Sequence, residues 1–158
     1  MKHMIVADTD FLSAFFKINR VGLIFTVFST ETITITEAVL HELENAPFYS
    51  RFLDFLSKEK RIVAQKSELV ESSSELGAGE LESMSLAERT NAILLMNDQK
   101  AVRIAEKRGI RVIDIPAFLL LCKKKKVISN EEIGKIIQDL KEKDKYEFSK
   151  EVLKAILD

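Results

Sequence analysis

Short apolar runs alternate with longer amphipathic segments along this chain, and that alternation sets the expected fold. Residues 4–7 (MIVA) form a buried-strand pattern that ends in Asp8-Thr9-Asp10. The following FLSAFFKI has helical spacing, with Thr9 or Asp10 as its expected cap. GLIFTVF at 22–28 reads as a helix or a strand, the helix being preferred. The β-branched alternation TITI at 32–35 predicts a strand. Thr36 then caps a helix that Pro47 ends, and 48–58 forms another amphipathic helix.

A strand at 62–64 leads into the polar, Ser-rich stretch 65–78, which reads as a loop. A helix over 79–90, a strand at 93–96 and a helix over 98–108 follow, with Gly109 as the stop. The pattern continues with a strand at 111–113 and helices over 117–125, 130–142 and 148–157. Strands alternating with helices predict a three-layer α/β/α domain around a central, mainly parallel sheet, occupying residues 1–158 as one unit. Ligands of such folds bind beyond the carboxyl ends of the strands. The acids that follow strands are therefore the informative ones.

Asp8 ends the first strand. Asp98 follows the 93–96 strand, where the apolar ILLM stops at Asn97-Asp98, and Asp114 directly follows 111–113. Glu42 lies in the second turn of the helix after TITI, and Glu80 and Glu82 in the first turn of the 79–90 helix. Each has a plain structural reading. Asp98, Glu80 and Glu82 suit helix N-termini, and Glu42 suits a solvated surface. Taken together they would form a carboxylate cluster. Two carboxylates about 4 Å apart repel by roughly 4 kcal/mol at an effective dielectric near 20. A cation or a shared proton relieves that repulsion. With oxygen ligands and no histidine pair, the fitting ions are Mg²⁺ or Mn²⁺. Hydrolysis of a phosphate ester, and so a metal-dependent nuclease, is the chemistry such a cluster suits.

The order of the motifs resembles a PIN domain: ADTDFL at 7–12, TITITEAVLHELE at 32–44, LGAGELESMSLA at 76–87 and ILLMNDQKAVRIAEKRGIRVI at 93–113. The likeness is to a prokaryotic, VapC-like branch of that family (DUF3368-like) and extends over nearly the whole chain. It implies an acidic pocket holding Mg²⁺ or Mn²⁺ and hydrolysis of single-stranded RNA to 5′-phosphate and 3′-hydroxyl ends. The implied catalytic acids are Asp8, Glu42, Glu82 and Asp98. Asp8, Glu82 and Asp98 would ligate the ion, and Glu42 would orient a water or hold a second ion. Glu80, Asp10, Asn97 and Asp114 are accessory positions. Three of these depart from the family pattern: Asp10 replaces a small polar residue, Asn97 replaces the first acid of an Asp-Asp pair, and Asp114 adds a charge.

The resemblance also implies a toxin role beside a small antitoxin protein, and a homodimer. A catalytically weak or inactive scaffold in RNA processing is the alternative. A phosphate-accepting receiver-type domain is a third reading, but it lacks a clear Lys and Thr/Ser set.

Charge and composition change the picture only slightly. The formal net charge of −1 argues against a general basic coat but leaves room for local patches. Lys100 and Arg103, after Asp98, are candidate RNA contacts, with Glu106 as the alternative partner of Arg103. The lysine run at 123–126 reads equally as a nucleic-acid contact or a solvated helix end. Cys122 alone excludes an intrachain disulfide and reads as a buried small hydrophobe. His3 and His41 are too few and too scattered for zinc. Phe15, Phe16, Phe25 and Phe28 read as core or dimer surface rather than as base-stacking platforms. No signal peptide or membrane span is evident, which leads to an expectation of a cytoplasmic protein with no membrane contact.

Overall fold

A computed structural model describes residues 3–66 and 76–158. Five parallel strands form the sheet in the order β3-β2-β1-β4-β5. They are β1 (Ile5–Ala7), β2 (Ile33–Thr36), β3 (Ile62–Gln65), β4 (Ile93–Leu95) and β5 (Arg111–Ile113). The expected mainly parallel sheet is parallel throughout the described residues.

Helices cover both faces. Side chains alternate across a strand. Val6 and Leu94 thus face one layer, made by α5 (Ala78–Thr90) and α6 (Gln99–Lys107), with Met84, Leu86, Ala101 and Ala105 packed on them. Ile5, Ala7, Ile33, Ile35 and Leu95 face the other layer. That layer contains α1 (Thr9–Lys17), α2 (Gly22–Phe28), α3 (Glu37–Leu43), α4 (Tyr49–Leu53), α7 (Ile115–Lys124), α8 (Asn130–Lys143) and α9 (Lys150–Leu157).

Helix α1 is buried on almost every side through Phe11, Leu12, Ala14, Phe15 and Phe16. Phe11 stacks on Phe15, and both meet the edge of Phe118 from α7 at centroid distances of 5.6 and 5.1 Å. Burying each such ring is worth roughly 1.5–3 kcal/mol. The apolar α1 thereby fixes where its first turn, and Asp8 before it, must sit. Phe15, Phe16 and Phe25 are core, as expected, and Phe28 packs partly buried against them.

The 48–58 segment departs from a plain helix: α4 continues as a π-helical turn over Asp54–Lys58. The polar stretch expected at 65–78 lies largely outside the described residues. Among the described residues, no single helix is long and apolar enough to cross a membrane. Apolar α1 and α2 owe their composition to the core.

The strand order reverses at β1, because β2 and β3 lie on one side and β4 and β5 on the other. A crevice outside the carboxyl ends of β1 and β4 is where this topology leaves room for a ligand.

Candidate active site

Four strands lead into a helix within at most a few residues. Asp8 precedes α1, Thr36 precedes α3, Asp98 precedes α6 and Asp114 precedes α7, each as the helix N-cap. The N-terminal ends of these helices therefore gather at one edge of the sheet, where their dipoles favour negative charge. Thr36, Asp98 and Asp114 cap in the ordinary way, accepting from the backbone N–H of Val39, Ala101 and Ala117.

Asp8 does not cap in this way. Neither Thr9 nor Asp10 is the cap of α1, contrary to the sequence expectation. Both are already helical, and the N-cap position falls to Asp8, whose side chain makes no capping bond. Its backbone N–H instead extends the β1–β4 ladder to Leu95 O at 2.9 Å. The Asp8 carboxylate accepts from the Ser83 hydroxyl of α5 at 3.2 Å, with Asp8 only 3% exposed and Ser83 fully buried.

Around Asp8 opens a pocket lined by Thr9, Asp10, Glu42, Gly77, Glu80 and Asp98. Among the described residues, no Lys or Arg belongs to this lining. Asp10 accepts from the Phe11 N–H at 2.8 Å and the Asn97 N–H at 3.5 Å. Glu80 folds back on the Gly77 N–H at 3.0 Å. Glu42, exposed on α3, accepts a short hydrogen bond from the Thr9 hydroxyl. Gly79 leaves room for Glu42, since a Cβ there would lie 2.5 Å from Glu42 Oε1.

The electrostatics follow from this geometry. Burial, reinforced by Asp10 and then by Glu80 and Glu42, pushes the Asp8 carboxyl up to about 8, although the Thr9 N–H partly offsets it. Burial also raises Asp10, whose tip still reaches solvent, against the restraining N–H groups of Phe11, Asn97 and Asp98. Glu80 is raised by burial and by Asp98 and Asp10, with the Gly77 N–H pulling the other way.

Two sequence expectations exchange places here. Glu80, expected as accessory, lines the pocket. Glu82, expected among the core acids, does not. Residues two apart on a helix do not share a face. Glu82 turns to the start of α3, where burial and Glu37 raise its carboxyl while the Ala38 N–H and His41 lower it. Asp8, Glu42 and Asp98 come together with Glu80 and Asp10.

The other accessory positions do not line the pocket. Asn97 Oδ1 accepts from Ile115 N at 3.0 Å, bracing the start of α7. Asp114 caps α7 and takes a longer contact from Gln99 at 3.4 Å. Lys100 and Arg103 are exposed on α6. Lys123 and Lys125 of the basic run reach the backbone carbonyls of Ile156 and Val27, a use that favours the helix-end reading. Cys122 is buried, and burial pushes its thiol up to about 12.

Thr9 was read from the sequence only as a cap, and Ser83 and Gly79 were not read as site residues. The i, i+3 spacing of Glu80 and Ser83 on one helical face was the available signal for Ser83.

Among the described residues, no three His, Cys, Asp or Glu side chains are already drawn together as a ligand set. The donor set nevertheless suits a hard divalent cation. It is all oxygen, and it includes a buried carboxylate with an acidic surround and no cation in the lining.

A family model described as DUF3368, a PIN domain, matches residues 4–158. The chain belongs to this PIN-domain family. The fold is also similar to a PilT N-terminus domain protein, SSO1118, from the hyperthermophilic archaeon Sulfolobus solfataricus P2. The TM-score is 0.52 and the identity 18%, over 73% of this chain and 90% of that one. No curated protein sequence matches the chain. PIN domains are generally nucleases that use divalent metals and bind nucleic acid, and this PIN domain has the nuclease-type fold.

Proposed function

We propose that this PIN domain is a divalent-metal-dependent endoribonuclease acting on single-stranded RNA. The observation that carries the reading is the Asp8 carboxylate, buried at the topological switch point with Asp10, Glu80, Glu42 and Asp98 around it. An ordinary helix cap needs neither that burial nor that company.

Asp8, Glu80 and Asp98 would hold Mg²⁺ or Mn²⁺, with Glu42 and Asp10 beside them. When bound, such an ion lowers the pKa of a coordinated water and offsets charge on the phosphate. Within the chain, Ser83 fixes the orientation of Asp8, and Thr9 fixes that of Glu42. Glu42, exposed at the pocket mouth, would accept a proton from an attacking water. The gathered N-termini of α1, α3 and α6 favour an anionic substrate at the same edge. Lys100 and Arg103, on the exposed side of α6, would contact flanking phosphates.

The test is incubation with single-stranded RNA, single-stranded DNA and duplex RNA, each with Mn²⁺, Mg²⁺ or EDTA, followed by analysis of product ends. The proposal expects single-stranded RNA to be cut only with metal, leaving 5′-phosphates. RNA binding without cleavage in any metal would favour a scaffold instead.

A further inference from the structure

An open cavity of about 380 Å³ lies where the last turns of α1 and α8 meet the start of α4, lined by Lys17, Pro47, Phe48, Arg51 and Lys143. Its lining holds three cations and no carboxylate. Lys17 pairs with Asp144 at 3.0 Å, which offsets one of the three charges. Arg51 donates to the neutral Asn19 Oδ1 at 3.3 Å. It also borders a groove that holds Asp54 and Glu59, but among the described residues it forms an ion pair with neither. Lys143 has no hydrogen bond or ion pair among the described residues.

A plain structural role covers only part of this cluster. Lys17 and Lys143 stand in the last turns of their helices, where a cation offsets the helix dipole. Arg51 has no such role, because its helix continues through Asp54–Lys58. Beneath the cations, Phe48 is buried and its ring stacks on Phe16 of α1 at 5.0 Å. The pocket therefore has a packed apolar floor, and Asn19 restrains Arg51 at its wall.

Helix α1 joins this pocket to the acidic one. Thr9 and Asp10 line the acidic pocket, and Lys17 lines the basic one. Asp10 and Lys17 are seven residues apart. They fall on the same face of the helix, about 10.5 Å apart along its axis. Ser13 lies between them, and these three form the solvent-facing stripe of a helix whose Phe11, Leu12, Ala14, Phe15 and Phe16 are buried.

We infer that the pocket of Lys17, Arg51 and Lys143 is a backbone-phosphate subsite, which takes a phosphate of the single strand roughly three nucleotides from the cleaved bond at 3.4 Å per nucleotide. The inference rests on the ribonuclease reading and deepens it. An acidic pocket repels the phosphates that flank the scissile one. Cations further along the strand counter that repulsion, and contacts to phosphate position a strand without reading its sequence. The subsite thus favours an RNA long enough to span both pockets.

The test measures binding of a single-stranded RNA decamer to the full chain carrying Asp8→Asn, with Mn²⁺, over a range of salt. Arg51→Ala and Lys143→Ala should each weaken binding by roughly threefold, and together by roughly tenfold. Each should also lower the slope of log affinity against log salt by ~0.7, the signature of one lost phosphate contact on a single strand. Arg51→Lys and Lys143→Arg keep the charge and should keep the slope, which separates a lost charge from a lost fold. Lys135→Ala, on an exposed side chain about two turns away on α8, should change neither affinity nor slope. An unchanged slope in Arg51→Ala and Lys143→Ala, or an equal change in Lys135→Ala, would overturn the subsite. So would polyglutamate of the same charge binding as tightly as RNA with the same losses, which would give the pocket to an acidic protein segment. Cleavage by the native chain is scored separately. Metal-dependent cutting with KM and salt slope indifferent to Arg51→Ala and Lys143→Ala sinks the subsite alone. Loss of slope in those variants, without cutting by the native chain in any metal, sinks the nuclease reading alone.

Discussion

The hydroxyl of Ser83 on α5 donates to the carboxylate of Asp8 at the end of β1 at 3.2 Å, and both groups are buried. This contact joins the helix that supplies Glu80 to the strand that supplies Asp8. Ser83→Ala removes the donor and leaves a buried carboxylate oxygen unsatisfied. The expected cost is about 1–3 kcal/mol of stability, with a roughly 10–100-fold loss in divalent affinity. Chemical denaturation and Mn²⁺ titration measure the two effects. Unchanged affinity would remove Ser83 from the site's support.

Asp8 also couples folding to pH. Its carboxyl is held up to about 8 in the folded protein, against an ordinary value of 3.8. The folded state therefore binds more protons than the unfolded state between those values, and stability of the metal-free protein falls as pH rises from about 4 to about 8. A bound divalent ion favours the ionised form, so the gain in melting temperature from Mn²⁺ should grow over the same range. In Asp8→Asn both trends should flatten. A metal-induced gain that is equal at pH 5.5 and 8.5 would contradict this coupling.

Glu80 and Glu82 separate cleanly in the structure. Glu80→Gln should weaken divalent binding by at least the roughly 10–100-fold typical of an outer partner. Glu82→Gln, on a side chain turned toward Glu37 and His41, should change it far less. Equal losses would return Glu82 to the ligand set.

Much of this arrangement was legible in the sequence. Apolar runs of strand length, each ending on Asp or Thr, announced β1, β2, β4 and β5 and placed Asp8 and Asp98 at one edge. The choice between Glu80 and Glu82 was not legible in the linear motif. A helix turns about 100° per residue, and only the docking of α5 against β1 shows which carboxylate faces Asp8. Asp114 looked like a site acid because it follows a strand, and Asn97 stood as an accessory position through the family pattern, yet both are engaged at the start of α7.

Gly79 tests how Glu42 is placed. Gly79→Ala puts a methyl group where Glu42 Oε1 lies, and the end of a flexible side chain can swing away. Helix stability should hold or rise by up to ~1 kcal/mol. RNA cleavage should fall as Glu42 leaves the pocket. Full activity with a stable fold would show that the position of Glu42 is immaterial.

Metal-dependent cleavage of a mixed-sequence single-stranded RNA, with the native chain beside Asp8→Asn, tests the central claim most directly. The account predicts cutting with Mn²⁺ or Mg²⁺, none with EDTA, and none by Asp8→Asn even though that variant folds. Undiminished cutting by Asp8→Asn would contradict it.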